Sequence, residues 1–397
     1  MPPPDDAAAL VQKLIPHVER LRGLTFKRPV AVQVVDEAEA REHFQRRAAL
    51  LWPEQQVQLD QAAYANLGLV PAGTELLGGL VDAVAEHALG YYDPGSDTFF
   101  VLSDVDDTAA PLVFVHELTH ALDDQHFGID SLLRGLEEDD DAASALAAVV
   151  EGSGTLVMGA YAVEEMTAGR LTAQMLQKLQ QKDAAEAARF HNLPPIFQRS
   201  LAAPYVLGSN FLLRGKLSPL RLTVVPEDIN RAFRELPGSS EQILHPAKYW
   251  DAAQHDPPQK VTLPDLSSTV GKGWALAGRG RLGELMLALL AGARSINLAS
   301  PKAQQAATWT LPAVTGGAGD TFHHYTRGEQ SVTVLLTLWD DPAEALEFQN
   351  ALREGPRLGS YRFASAVLVV GGDAIERWDT LAPAALSAAG TQADGTP

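Results

Sequence analysis

The sequence predicts an α+β fold: a mixed sheet with helices in the N-terminal half, a helical middle and a C-terminal α/β part. Three observations carry this prediction. Apolar residues recur at helical spacing through the first two-thirds of the chain. Short β-branched and aromatic runs at 29–35 and 98–102 break that pattern and read as strands. Beyond residue 300, strand-like runs dominate.

In chain order, residues 7–22 place Leu10, Leu14, Val18 and Leu21 on one helical face. Residues 29–35 alternate as a strand, 37–52 and 55–67 read as helices, 68–73 as a turn and 76–87 as a short helix. Asp93-Pro94-Gly95-Ser96 favours a tight reversal, so residues 88–102 read as a hairpin. Asp106, Asp107 and Thr108 are N-cap types, and Pro111 suits the first turn of a helix over 110–125. The acidic run 137–141 reads as a solvated loop, and the Ala-rich stretch 142–179 as one or two helices. Pro194-Pro195 interrupts, and helices resume over 197–214. Residues 237–246 read as a loop, 260–263 as a short strand and 280–293 as an apolar helix. Strands are expected at 306–311, 321–325, 331–339 and 364–370, with a helix over 342–353, and the small polar tail 383–397 reads as disordered. The expected divisions are 1–194, 195–270, 271–382 and the tail, with no internal repeat.

Composition removes several function classes. A net charge of −19 without a Lys/Arg cluster gives no groove for a nucleic-acid backbone and no attraction to anionic lipid. The absence of cysteine excludes disulfides, iron–sulfur clusters and thiolate metal sites. No run of 18 apolar residues occurs, so no membrane span is expected. The first residues lack the basic and apolar regions of a signal peptide, which fits either a cytoplasmic protein or a mature exported form carrying an added Met.

The motif that carries chemistry is His116-Glu117-Leu118-Thr119-His120. Residues i and i+4 share a helix face about 6 Å apart, so His116 and His120 can aim at one ion. Glu117 is turned about 100° away, near a metal without ligating it, where it can take a proton from water. With this composition, chance gives such a match in roughly 2% of chains of this length. A catalytic zinc needs a third protein ligand and an open position. Glu151 is the best candidate: it is a lone carboxylate in the small apolar run Ala147-Ala148-Val149-Val150-Glu151-Gly152-Ser153-Gly154. Asp123, Asp124 and His126 compete, and Asp124 could instead orient a ligand imidazole.

This arrangement resembles the glutamate zincins (gluzincins), in which a strand precedes the HExxH helix and a later helix supplies a glutamate. The gap to Glu151 is long for that group, and no Asn-Glu pair marks the third ligand. More closely, the chain resembles a group of poorly characterised bacterial metallopeptidases, through Tyr91-Tyr92-Asp93-Pro94, the segment HELTHALDDQHF from His116 to Phe127, Val150-Glu151-Gly152, the stretch from Ser239 to Tyr249, Leu282-Gly283-Glu284-Leu285 and Leu338-Trp339-Asp340. At Gly319-Asp320-Thr321 it lacks the basic residue expected after the Asp. The resemblance implies a zincin-like core, Zn2+ held by His116, His120 and Glu151, Glu117 as general base, and a peptide or protein substrate paired with an edge strand at 98–102. Members of this group are often exported, which slightly favours an exported or cell-envelope form.

An oxyanion donor is also needed. His245, beside Pro246, and Tyr249 are the residues chosen, with Tyr161 and Tyr205 as alternatives. His323-His324-Tyr325 is a weak metal patch, because adjacent strand residues face opposite ways. No G-x-S-x-G elbow or phosphate-binding P-loop occurs, and Gly278 to Gly283, which fits G-x-G-x-x-G, reads as a helix-start loop. The expected function is therefore zinc-dependent peptide hydrolysis. Two alternatives stay open: a zincin-fold protein with a structural or binding role and no turnover, and a zinc hydrolase of non-peptide amides. Oligomeric state is not specified by the sequence.

Overall fold

The computed structural model describes residues 4–51, 54–79, 81, 90–103, 109–136, 139–179, 191, 193–216, 224–352 and 358–393. The expected helix at 76–87 falls mostly outside these residues, and the N-cap residues Asp106 to Thr108 wholly so. The fold is α+β, with two sheets and helices packed on both.

Helix α1 (Pro4–Arg22) leads into β1 (Ala31–Val35), α2 (Glu37–Leu51) and α3 (Glu54–Asn66), followed by the hairpin β2 (Gly90–Asp93) and β3 (Thr98–Leu102). The hairpin closes as its residues dictate. Asp93 accepts from the Gly95 N–H and the Ser96 hydroxyl, and Asp97 adopts a left-handed φ of 53°. The order in this sheet is β1-β3-β2, with β1 parallel to β3 and β2 antiparallel to it. Thr98–Leu102 is thus the central strand, and the expected edge strand is corrected to β2. Adjacent sequence could not reveal this, because β1 inserts beside β3 from far upstream.

Helix α4 (Ala110–Phe127) carries the HExxH residues. Pro111 lies in its first turn, Ala109 is an N-cap with no side-chain bond, and Gly128 ends it at φ 68° with its N–H on the Asp124 carbonyl. Val11, Leu14 and Val18 of α1 pack with Phe99, Val101, Phe114 and Leu118, fixing α4 on the small sheet.

Helix α5 (Asp140–Thr167) is the longest element. It begins inside the acidic run expected as a loop, with Asp139 as N-cap accepting from the Ala142 N–H. The run starts a helix because carboxylates are favoured in a first turn. By length and composition α5 could cross a membrane, but 56% of its most apolar window is buried within the protein. Helices α6 (Pro195–Leu212), α7 (Pro226–Arg234) and α8 (Ser240–Leu244) follow. The last corrects the expected loop at 237–246: Ser239 caps it through the Gln242 N–H.

The second sheet is antiparallel, in the order β4-β5-β6-β8-β7. Its strands are β4 (Ala275–Gly280), β5 (Gly317–Arg327), β6 (Gln330–Trp339), β7 (Gly359–Phe363) and β8 (Ala366–Gly372). Helices α9 (Gly283–Leu290), α10 (Pro342–Leu352) and α11 (Trp378–Ala393) complete this half. Four expectations are corrected. Residues 260–263 are not a strand, although Gln259 N–H donates to the Ala318 carbonyl beside the sheet. Residues 306–308 form a 3-10 turn closed by buried Trp309 rather than a strand. The glycine-rich segment at 278–280 belongs to β4, and the apolar helix starts only at Gly283. The tail is helical to Ala393, because Leu381, Ala382, Ala385 and Leu386 form a buried stripe against the sheet.

Ala63 and Leu67, at the end of α3, share a core with Leu335, Val367 and Val369. The Asn66 amide donates to Ser331 and Thr333. The expected division at 270 therefore separates residues that belong to one core.

Candidate metal centre

His116 and His120 lie one turn apart on α4, with their Nε2 atoms 2.9 Å from each other. Glu151 of α5 places Oε2 at 3.1 Å from His116 Nε2 and 3.4 Å from His120 Nε2. Two imidazoles and a carboxylate thus converge, all three donor atoms lying within 4.8 Å of one another. Ligands about 2.0–2.1 Å from a tetrahedral zinc stand about 3.3–3.4 Å apart, so this triangle is close to one face of such a shell. The set is nitrogen and carboxylate only, as zinc accepts.

Two features bring α5 this close to α4. A methyl group on Gly154 would stand 2.7 Å from His116 Cε1 and 2.9 Å from His120 Cε1, so only glycine leaves room for both rings. Behind the rings, Arg22 Nε donates to Asp123 at 2.7 Å and Ser153 Oγ donates to the same carboxylate at 2.6 Å. Arg22 and Asp123 are both fully buried. This ion pair joins α1, α4 and α5 beside the ligands, and in a water-free setting its partners depend on each other.

Electrostatics separate the two glutamates. Burial pushes Glu151 upward, but the His120 charge and hydrogen bonds from both imidazoles outweigh it, holding the carboxyl well below its ordinary range. Glu117 is pushed up to about 7, chiefly by burial; His116 opposes the rise, Glu151 adds to it and the Tyr92 N–H opposes it. That N–H, on edge strand β2, donates to Glu117 Oε2 at 2.7 Å and fixes where the carboxylate points.

The competing ligands lie elsewhere. Asp124 accepts from the Tyr92 hydroxyl and the Ile129 N–H, Asp123 is held by Arg22 and Ser153, and His126 bonds the Thr25 carbonyl. Asp124 thus orients a tyrosine rather than an imidazole. His120 Nδ1 is buried and has no hydrogen-bond partner among the described residues.

The oxyanion candidates part company. His245 Nε2 lies 3.0 Å from Glu284, and the Tyr249 hydroxyl donates to the Glu235 carbonyl at 2.6 Å, so neither is bonded into the ligand cluster. Tyr161 packs edge-on against His17. Tyr205 is the tyrosine at the centre: its ring stacks on His116 at 5.7 Å with 15° between planes. Although the residue is 45% exposed, enclosure of its hydroxyl and the charges of Glu151 and Glu117 hold the phenol well above its ordinary range, so it stays a donor. A helix crossing seats it there. A methyl on Gly152 would meet the Gly208 backbone at 2.5 Å, and one on Gly208 would collide with the Ala148 carbonyl. No local sequence signal marks Tyr205, because its position depends on two glycines from different helices.

His323 and His324 are buried, and each is bonded within the second sheet, to Tyr325 and Thr333. Among the described residues, they form no metal group. The segments 239–249 and 282–285 meet through the His245–Glu284 pair and the Ser240 hydroxyl, which accepts from the Leu285 N–H. Asp320 accepts from the N–H groups of Leu282 and Gly283 and so starts α9.

Residues 274–378 match the model of a domain of unknown function (DUF8575). This span begins at the edge of β4 and ends just after β8, so it covers the antiparallel sheet and leaves His116, His120 and Glu151 outside. No curated protein matches the chain, and no solved structure does.

Proposed function

We propose that this protein is a zinc-dependent hydrolase of peptide bonds, with a zincin-like arrangement of α4, α5 and β2 around the site. The observation that carries this reading is the convergence of His116, His120 and Glu151 with an unligated carboxylate, Glu117, beside them. A structural metal site needs no adjacent base.

His116 Nε2, His120 Nε2 and Glu151 Oε2 would hold the ion. When bound, zinc supplies a Lewis acid that polarises a carbonyl and acidifies water. Glu117 takes the proton of the attacking water and passes it to the leaving amine, its carboxylate aimed by the Tyr92 N–H. Tyr205 donates to the oxyanion as the carbonyl becomes tetrahedral. β2, an edge strand among the described residues, offers backbone groups to an extended substrate.

The test compares wild type with Glu117→Gln. The variant should keep stoichiometric zinc by elemental analysis while cleavage of a mixed peptide library falls about 10²–10⁴-fold. Unchanged cleavage at equal zinc content would refute the assignment.

A further inference from the structure

A cavity of about 570 Å³ opens beside the metal centre, and Glu151 forms part of its wall. One face of α5, through Ala148, Ala147, Ser144, Ala143 and Asp140, continues from Glu151 as its floor. These eleven residue steps span about 16 Å. The small side chains on this face leave the space open, and the rest of the lining is largely aliphatic.

Three arginines are among the residues lining the cavity, and they differ in kind. Arg47 pairs with Asp93 and Asp130. Arg281 pairs with Asp139 and Asp141. Among the described residues, Arg199 pairs with no carboxylate, its Nε has no hydrogen-bond partner, and its acceptor is the Arg294 carbonyl at 3.3 Å; the residue is 1% exposed. Burial alone lowers its pKa, to about 10, with no neighbouring charge entering. A buried cation without a counter-charge is costly, and proteins keep one where a ligand supplies the missing charge.

We infer that the cavity takes an apolar chain ending in a carboxylate, and that Arg199 is the residue that binds this carboxylate. This rests on the proposed peptidase reading to the extent that the chain is then the C-terminal end of a peptide. Arg199 precedes Tyr205 by six residues on α6, about 9 Å along the axis. That distance is the span of about two or three extended residues. The substrate would accordingly end two or three residues past the cleaved bond, and short C-terminal peptides would be released.

Binding in the metal-free protein tests this, because a carboxylate then has no zinc to seek and turnover is absent. Acetyl-trileucine as free acid, its C-terminal amide and decanoate are titrated by calorimetry into wild type, Arg199→Met and Arg199→Lys. Wild type should bind the tripeptide acid about tenfold or more tighter than the amide, a gap of about 1.4 kcal/mol. Arg199→Met should lose that preference and Arg199→Lys keep part of it. Because the removed charge is unpaired, Arg199→Met should melt no lower than wild type. Equal binding of acid and amide, an acid preference that survives in Arg199→Met, no binding of any probe, or a marked loss of stability in that variant would each overturn the assignment. Tighter binding of decanoate than of the tripeptide acid would overturn the peptide as the source of the carboxylate. None of these outcomes depends on zinc content or cleavage, so they are separable from failure of the hydrolase reading.

Discussion

The start and the middle of α5 handle acidic residues in opposite ways. At its start, Asp139 and Asp141 share Arg281, while Asp141 also accepts from the Ser240 N–H at 2.8 Å and Asp140 accepts from the Tyr64 hydroxyl. At Glu151, one turn of helix before Gly154, the carboxylate meets two imidazoles and the hydroxyl of Tyr205, which donates to it, and among the described residues no Lys or Arg pairs with it. In the first cluster the protein supplies the cation. In the second, three donor atoms converge on one point, and the charge they lack is that of the proposed zinc ion. Counting acidic residues does not separate the two; the direction in which their atoms point does.

Removing a key residue from each cluster should break the molecule in different ways. His120→Ala should drop bound zinc from about one per chain to background by elemental analysis, with the fold retained by circular dichroism. Arg281→Met should leave zinc content unchanged and lower unfolding free energy by about 2–3 kcal/mol in urea, since Asp141 is left buried without its partner. Zinc retained in His120→Ala would remove the distinction between the clusters.

Glycines sharpen the same contrast. Gly154→Ala pushes against both ligand rings and should weaken zinc affinity about tenfold or more in a chelator competition. Gly283 has a φ of +65°, and a methyl there would collide with Asp141. Gly283→Ala should therefore cost about 1–3 kcal/mol of stability with zinc affinity unchanged.

The smallest effect concerns pH at the acidic end. Asp60 is pushed up to about 7, first by burial and then by the Asp140 charge, against a hydrogen bond from Gln56. A raised folded-state value means that the native state holds this proton more tightly than the unfolded chain does. The resulting stabilisation is fully present below the ordinary value of 3.8 and is lost as pH rises through about 7. Asp60→Asn should match wild type most closely near pH 4 and melt about 1–2 °C higher at pH 8. A difference that does not vary with pH would show that Asp60 is not strained by its surroundings.

Much of the geometry of the candidate metal centre was legible in the sequence, because the period of a helix alone puts His116 and His120 on one face and Glu117 beside it. Glu151 could be picked out as the single carboxylate in a run of small residues, but its approach depends on Gly154, whose role appears only when two helices meet. Tyr205 could not be ranked above His245 or Tyr249, since its place is set by the Gly152–Gly208 crossing. The edge strand was misassigned because sheet order reflects how distant strands insert, while the strands themselves follow from local composition. The C-terminal helix was missed because its alanines read as a polar, small tail until the sheet supplies a surface to bury them.

The interlock of α3 with the second sheet bears on how the chain reaches its native state. Asn66 and Leu67 contact residues some 265 to 300 positions later, so the part of that sheet under α3, beside α9 and α10, stays open until both halves of the chain have been made. Contacts of such long range slow folding, and a waiting apolar face is prone to self-association. A fragment cut to residues 274–378 keeps α9 and α10 beside Leu335, Val367 and Val369 but loses the cover of α3 and α11, and should be less soluble than the whole chain, whereas supplying α3 in trans should raise its solubility.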